Sequence, residues 1–266
     1  SKIDVMPTIA TAPMIRRDTG DDHICVLTFD RPDSGANIFD AATLDELSEH
    51  LDALQKDSSL RGLIITSAKK SIFVAGADLK TLLQAAKTGE MRRFIERGQK
   101  VFNRLADLKI PTVAAIHGAS AGGGYEVALA CDYRVASDAP ATRIGLPETG
   151  LGLLPAWGGC TRLTRLIGPE KAAEVILKGK LYSAQEALKL GLADEIAPPD
   201  QLLDCAREKL RAGKRKMDGG APATPRSSQF GPPKPTGNPA LARAYEIINK
   251  TQSISPDESL RLELDG

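Results

Sequence analysis

The 266-residue chain lacks the features that mark several large classes of protein. It has no apolar run of the roughly 18 residues that a membrane-spanning helix needs. Its formal net charge is only +1, so no bulk positive field attracts nucleic acid or an acidic membrane surface. The basic cluster at 207–216 has no interleaved aromatic residues, and we interpret it as a solvated helix end. We therefore expect neither a nucleic-acid partner nor a membrane span.

Cysteine and histidine are also scarce. The four cysteines include no Cys-x-x-Cys pair, which favours free thiols in a reducing compartment. The three histidines form no His-x-x-His or His-Glu-x-x-His pair, so we expect no metal site. No Gly-x-x-x-x-Gly-Lys-Ser/Thr loop is present for nucleotide phosphates, and the first residues lack the pattern of a secretory signal. These absences predict a cytoplasmic location, or an organelle matrix in a eukaryote.

Short apolar runs alternate with amphipathic segments through most of the chain. The apolar runs predict strands at 23–29, 62–66, 112–116 and 133–136. The amphipathic segments predict helices at 41–56, 79–87, 91–107, 125–131, 158–166, 169–178 and 183–190. Strands and helices that alternate with short connections indicate an α/β fold.

The composition changes at 211–239, which is rich in Pro and Gly and has almost no large apolar residues. We predict a catalytic domain at 1–210, a linker or extended arm at 211–239, and a helical tail at 240–266. The second tail helix starts with a capping signal at Ser255, but the chain ends barely two turns later. We expect the natural polypeptide to be longer.

Two glycine-containing turns each lead to a carboxylate. The run Gly122-Gly123-Gly124 stands between a predicted strand and a helix, where it exposes backbone N–H groups and the positive end of the helix dipole. Such a turn favours an anion or oxyanion site, although a tight turn alone also calls for glycine. The segment 75–78 is a weaker signal, because Asp78 also fits the N-cap of the next helix.

Two glutamates stand out beside these turns. Glu126 follows the glycines among apolar residues, where burial would shift its pKa into a range that suits proton transfer. Its alternative role is to stabilise the helix dipole. Glu148 lies in a loop rich in Gly, Pro and Leu, and its alternative is an exposed turn residue.

The segments 75–78, 122–126, 145–150 and 155–163 resemble, in order and spacing, the signature segments of the enoyl-CoA hydratase/isomerase (crotonase) superfamily. The resemblance covers about residues 15–210 and is closest to the N-terminal hydratase part of multifunctional fatty-acid β-oxidation proteins. It implies a crotonase fold, in which repeated ββα turns form a superhelix and a C-terminal helical region makes trimer contacts.

The resemblance also implies roles for single residues. The two oxyanion N–H donors of the family fall on Ala77 and Gly123, and its two catalytic glutamates fall on Glu126 and Glu148. Tyr125 departs from the smaller residues common before the first glutamate, and we expect it to alter the shape of the acyl pocket.

For coenzyme A, the resemblance implies contacts with Ser34, Ala36, Ala75 and Lys80. An exposed helix lysine is the alternative for Lys80. Coenzyme A is part of the substrate, so no separate cofactor is expected. The implied partners are an acyl-CoA thioester and further subunits, in a homotrimer, a hexamer or a larger β-oxidation complex.

Both glutamates together favour hydration of trans-2-enoyl-CoA to 3-hydroxyacyl-CoA in fatty acid β-oxidation. One alternative is a Δ3,Δ2-enoyl-CoA isomerase, in which Glu148 alone shuttles a proton. Another is a scaffold that binds acyl-CoA without catalysis. Two intact turns and two glutamates argue against the scaffold.

Overall fold

The computed structural model describes residues 12–32, 34–215 and 237–266. Its strands form two sheets, with helices packed around them. The strands are β1 (Ile15–Thr19), β2 (Ile24–Phe29), β3 (Gly62–Ser67), β4 (Ile72–Val74), β5 (Thr112–Ile116), β6 (Ala119–Ala121), β7 (Tyr133–Ser137), β8 (Arg143–Gly145), β9 (Leu181–Tyr182) and β10 (Glu195–Ala197). The helices are α1 (Ala41–Lys56), α2 (Leu79–Thr88), α3 (Met91–Ala106), α4 (Gly123–Ala130), α5 (Gly159–Ile167), α6 (Pro169–Lys178), α7 (Ala184–Leu190), α8 (Leu202–Leu210), α9 (Pro239–Thr251) and α10 (Pro256–Leu264).

The larger sheet has the order β1-β2-β3-β5-β7-β10, and the smaller has the order β4-β6-β8-β9. Among the described strands, only the pairs β1–β2 and β8–β9 are antiparallel. Successive strands alternate between the sheets, because β3, β5 and β7 enter the larger one while β4, β6 and β8 enter the smaller one. Helices follow β4 and β6, so the chain forms repeated ββα turns. The α/β class predicted from the sequence is confirmed.

Burial explains why the sequence specifies these strands. In β3 and β5 the first five residues are buried without alternation, as expected for parallel strands covered on both faces. Helix α8 covers one face of the larger sheet with Leu202, Ala206 and Leu210. Helices α1 and α3 contribute to the main core on the other side, where Phe39 and Phe102 meet edge to face at 5.2 Å.

Most predicted helices lie within a residue or two of their observed bounds. Asp40 caps α1 by accepting from the Thr43 N–H, and Ser183 and Glu186 form a capping box on α7. Helix α4 begins at Gly123 rather than at 125, so the last two glycines belong to its first turn. Strand β1, the strands of two or three residues and helix α8 were not predicted, and the shortest strands have too few residues for a clear periodicity.

The two tail helices pack onto the rest of the fold. Helix α9 lies against α5 and α6, and α10 lies against α3, α5 and α9. Residues 216–236 of the predicted linker lie outside the described residues, so the proposed domain limits remain a prediction. Within the described ranges, no helix combines the length and the apolarity that crossing a bilayer requires.

Candidate active site

The smaller sheet brings the sequence motifs together. Its strands β4, β6 and β8 are parallel neighbours, so their carboxyl ends meet at one edge. The segments that follow them, 75–78, 122–126 and 146–148, therefore converge although they are far apart in sequence. They border a cavity of about 560 Å³. Residues lining it include Ala75, Gly76, Ala77, Gly122, Gly123, Glu126, Glu148, Trp157 and Glu263.

Two backbone N–H groups at this edge lie side by side. A Cβ atom built on Gly123 would stand 3.4 Å from the Ala77 nitrogen, and one built on Gly76 would stand 3.5 Å from the Gly123 nitrogen. Gly123 is the first residue of α4, and its N–H has no acceptor within the helix. In the described part of the chain, the Ala77 N–H has no backbone acceptor either. The pair can donate two hydrogen bonds to one oxygen.

Each of the three consecutive glycines has its own steric reason. Gly122 has a φ of +54°, and a Cβ there would lie 2.8 Å from the Glu148 carboxylate oxygen Oε1. On Gly123 it would lie 2.7 Å from the Trp157 ring, and on Gly124 only 1.9 Å from the Val74 carbonyl oxygen. Because these three residues have no side chain, the Glu148 carboxylate, the Trp157 ring and strand β4 pack directly against their backbone.

Glu126, in the first turn of α4, is 3% exposed. Its Oε1 accepts the Trp157 N–H at 2.8 Å and the Gly159 N–H at 2.9 Å. Burial raises its pKa well above the ordinary value, and the nearby Glu148 and Glu263 charges raise it further. The two N–H donors act in the opposite direction and stabilise its ionised form.

Glu148 is the first residue of a 3₁₀ turn, Glu148–Leu151, that follows β8. Its Oε2 is inaccessible and has no hydrogen-bond partner in the described part of the chain. Burial raises the pKa of this carboxyl to about 8. The two carboxyls face one cavity, so they suit a pair that shares one proton. The N–H donors on Glu126 favour its ionised form, which leaves the proton on Glu148.

The raised pKa of Glu148 predicts a pH-dependent gain in stability for Glu148→Gln. In the folded protein this carboxyl keeps its proton up to a pH of about 8, whereas its ordinary pKa is 4.5. The stability it contributes is fully present below the ordinary pKa and is lost as pH rises through the folded one. Glutamine does not ionise, so the melting temperature of the variant should increasingly exceed that of wild type between those two pH values.

Calorimetry of both proteins across this pH interval measures the difference. Glu208→Gln, on the distant helix α8, is the matched control and should show a constant difference from wild type. A melting-temperature difference for Glu148→Gln that does not change with pH would show that Glu148 ionises as readily in the fold as in the unfolded chain.

The structure adds a third carboxylate that the sequence reasoning missed. Glu263 on α10 is 1% exposed and borders the same cavity. Burial raises its pKa to about 7. In the sequence, Glu263 is only an acidic residue between leucines of the last helix. An exposed position on that helix would explain such a residue equally well.

Trp157 and Tyr125 are both fixed in the core. Trp157 makes T-shaped contacts with Phe39, Phe94 and Phe102 at centroid distances of 5.8, 5.4 and 5.4 Å. Tyr125 is fully buried, and its hydroxyl donates to the Leu192 carbonyl at 2.9 Å. Tyr125 does not line the cavity, so the expectation that it shapes an acyl pocket is wrong.

The four residues predicted to contact coenzyme A do not all lie in one place. Ala75 lines the cavity of the glutamates, whereas Lys80 lines a more open cavity of about 700 Å³ with Arg93 and Arg97. Ser34 and Ala36 lie before α1, where the Ser34 hydroxyl accepts the Ala36 N–H, and neither lines these two cavities. Among the described residues, no cluster of His, Cys, Asp or Glu is arranged to hold a metal ion.

The chain is similar to known proteins both in sequence and in fold. Residues 19–218 match the family described as enoyl-CoA hydratase/isomerase. The fatty acid oxidation complex subunit alpha of Shewanella baltica (strain OS185) is 48% identical over 206 residues, which are 77% of this chain and 29% of that protein. The corresponding subunit of Vibrio campbellii is 45% identical over 194 residues, 73% of this chain and 28% of that protein.

The chain therefore spans less than a third of the length of these relatives. Among solved structures, the enoyl-CoA hydratase of Bacillus anthracis superposes with a TM-score of 0.70 at 30% identity, covering 94% of this chain and 88% of that one. This similarity confirms the crotonase fold, with its ββα superhelix and C-terminal helices.

Proposed function

Since the chain belongs to the enoyl-CoA hydratase/isomerase family, we propose that it hydrates trans-2-enoyl-CoA thioesters to 3-hydroxyacyl-CoA in fatty acid β-oxidation. The observation that carries the proposal is one cavity that holds two adjacent N–H donors and two glutamates, of which Glu126 is buried and Glu148 is partly buried. The donors suit an oxygen that becomes negative, and the glutamates suit two proton transfers.

The substrate would bind with its thioester oxygen between the N–H groups of Ala77 and Gly123. As water adds at Cβ, the π electrons of the double bond move toward the thioester and place negative charge on that oxygen. Both donors are fixed by backbone geometry before the reaction, so they stabilise this charge without reorganising. Each donor would contribute about 3–4 kcal/mol at the transition state.

The two glutamates would divide the proton transfers. Ionised Glu126 accepts a proton from water as the oxygen of that water bonds to Cβ. Protonated Glu148 donates to Cα, which completes the 3-hydroxyacyl thioester. The enzyme is left with the proton on Glu126 instead of Glu148, and exchange with solvent after product release restores the starting state. This scheme needs no cofactor, because coenzyme A enters and leaves as part of the substrate.

The remaining contacts are proposals of the same kind. Ala75 at the cavity wall would lie along the pantetheine, and Lys80 at the more open cavity would meet a phosphate of coenzyme A. We place Ser34 and Ala36 on the outer part of coenzyme A by resemblance alone. The relatives are subunits of a complex, and we propose that this chain also works within a trimer, a hexamer or a larger β-oxidation assembly.

Isomerisation of a 3-enoyl-CoA is the second candidate. Glu148 favours it, because its Oε2 has no hydrogen-bond partner among the described residues and is able to move a proton from Cα to Cγ. A hydratase and an isomerase would then share the same oxyanion donors and differ in whether Glu126 activates water.

Product analysis separates the candidates. We expect the purified protein to convert trans-2-enoyl-CoA into 3-hydroxyacyl-CoA, detected by mass spectrometry as addition of one water. The parallel incubation uses 3-enoyl-CoA of the same chain length. Turnover of the 3-enoyl substrate alone would support the isomerase, and binding of acyl-CoA without turnover of either would support a scaffold.

A further inference from the structure

Glu263 reaches the active site from the last helix of the chain and meets backbone there. Its Oε2 accepts the Gly158 N–H at 2.7 Å, and its Oε1 accepts both the N–H and the hydroxyl of Thr161 at 2.6 and 2.7 Å. Three donors on one buried carboxylate stabilise its ionised form and fix its position. Helix α10 therefore holds the segment 157–161 mainly through Glu263, and Ser259 on the same helix adds a hydroxyl contact to Thr161 at 2.8 Å.

The same segment holds Glu126 from its other side. The N–H groups of Trp157 and Gly159 bond to Glu126, while those of Gly158 and Thr161 bond to Glu263. The turn that positions the catalytic carboxylate is thus clamped between two carboxylates.

Glycine is required within this turn for two reasons. Gly158 has a φ of +102°, which a side chain would disfavour. At Gly159 a Cβ would lie 2.8 Å from the Glu126 oxygen Oε1. Glycine at 158 therefore permits the backbone conformation of the turn, and glycine at 159 leaves room for the Glu126 carboxylate.

Several charged or titratable groups surround Glu263. Glu126 on α4 and Glu148 in the 3₁₀ turn are like charges, and the Cys160 thiol lies on α5 close to all three glutamates. The guanidinium of Arg162 is the opposing charge, and its Nη1 donates to the Trp157 carbonyl at 3.0 Å. Glu263 raises the pKa of both Glu126 and Glu148 through charge repulsion.

On the basis of the proposed function, we propose that Glu263 is a positioning residue that fixes the turn 157–161 and, through it, the catalytic carboxylate of Glu126. The final helix α10 is then part of the active site rather than a connection that follows it. Nothing in this role requires Glu263 to touch the substrate.

Glu263→Gln tests the proposal with a side chain of the same shape. The amide has one acceptor oxygen in place of two, so either the Gly158 or the Thr161 contact is lost and the turn loosens. Misplacement of a catalytic group by about 1 Å costs about 100-fold in rate, so we expect a fall of about that size in kcat with little change in KM. Glu258→Gln, exposed on the same helix, should leave kcat unchanged.

The pH profile gives the readout that a purely structural role would not move. Removal of the negative charge lowers the pKa of Glu126 and Glu148, so the alkaline decline in kcat should begin at a lower pH in Glu263→Gln. Glu263→Asp keeps the charge on a shorter side chain and should retain the wild-type pH profile. Equal kcat and an identical pH profile in wild type and Glu263→Gln would overturn the proposal.

A carboxyl ¹³C NMR titration measures the pKa of Glu126 directly, so it tests the role of Glu263 without relying on turnover of any substrate. A lower Glu126 pKa in Glu263→Gln supports the coupling even if no substrate is turned over. An inactive wild type would overturn the hydratase function alone, whereas an active wild type with an unaltered Glu263→Gln variant would overturn the positioning role alone.

Discussion

Replacing Glu148 by Gln is expected to lower kcat for crotonyl-CoA by about 10²- to 10⁴-fold with little change in KM. Glutamine has nearly the same shape, and within the described ranges no protein donor bonds to the buried Oε2 of Glu148, so the variant keeps the cavity. What it loses is the proton for Cα. Glu126→Gln should cause a loss of similar size for a different reason, because an amide does not accept the proton from water.

Initial rates of crotonyl-CoA hydration, followed by loss of the ultraviolet absorbance of the conjugated thioester, measure both effects. Glu208→Gln on α8 serves as the control and should retain the wild-type rate. The two glutamates act on one reaction, so the double variant should be little slower than either single variant. Wild-type turnover in Glu126→Gln or Glu148→Gln would remove that residue from the mechanism.

The second large effect concerns the oxyanion donors. Gly123→Pro should reduce kcat by about 10²- to 10³-fold relative to Gly123→Ala, because only proline removes the N–H group. Gly123 is the first residue of α4, where the fixed φ of proline suits the helix. Both substitutions place a Cβ about 2.7 Å from the Trp157 ring, so they share this clash, and proline also places a ring carbon where the N–H hydrogen stood.

Comparison with Gly123→Ala therefore separates the loss of the N–H group from the effect of the added Cβ on packing. Overpacking of this kind typically costs about 1–3 kcal/mol, and we expect both variants to unfold at similarly reduced temperatures in a calorimeter. Equal activities in the proline and alanine variants would mean that the Gly123 N–H does not bind the reacting oxygen.

The residues that sequence reasoning brought together share a simple property. The turns at Gly76 and Gly122 and the nearby Glu126 follow buried strands or precede helices, so local patterns were enough to find them. Why they meet was not visible, because it depends on β4, β6 and β8. Each of these strands has only three residues and carries no periodic signal, yet their parallel pairing sets the shared edge.

Long-range hydrogen bonds account for what the sequence did not show. Glu263 is 105 positions from Gly158, and its role exists only because α10 packs against α5 and α3. No local pattern distinguishes it from the exposed acids of the same helix. For Tyr125 the local sequence was misleading. Its position next to Glu126 suggested that it lines the pocket, but the helix directs its side chain toward Leu192.

The proposed reaction adds water to a 2-enoyl thioester in this cavity. Incubation of the protein with crotonyl-CoA in ¹⁸O-labelled water, followed by mass spectrometry of the product, detects this addition of water. We expect 3-hydroxybutyryl-CoA that carries the label in its hydroxyl group, formed rapidly by wild type and hardly at all by Glu148→Gln. Recovery of crotonyl-CoA with no hydrated product, or of an isomer without added oxygen, would contradict the proposed hydration.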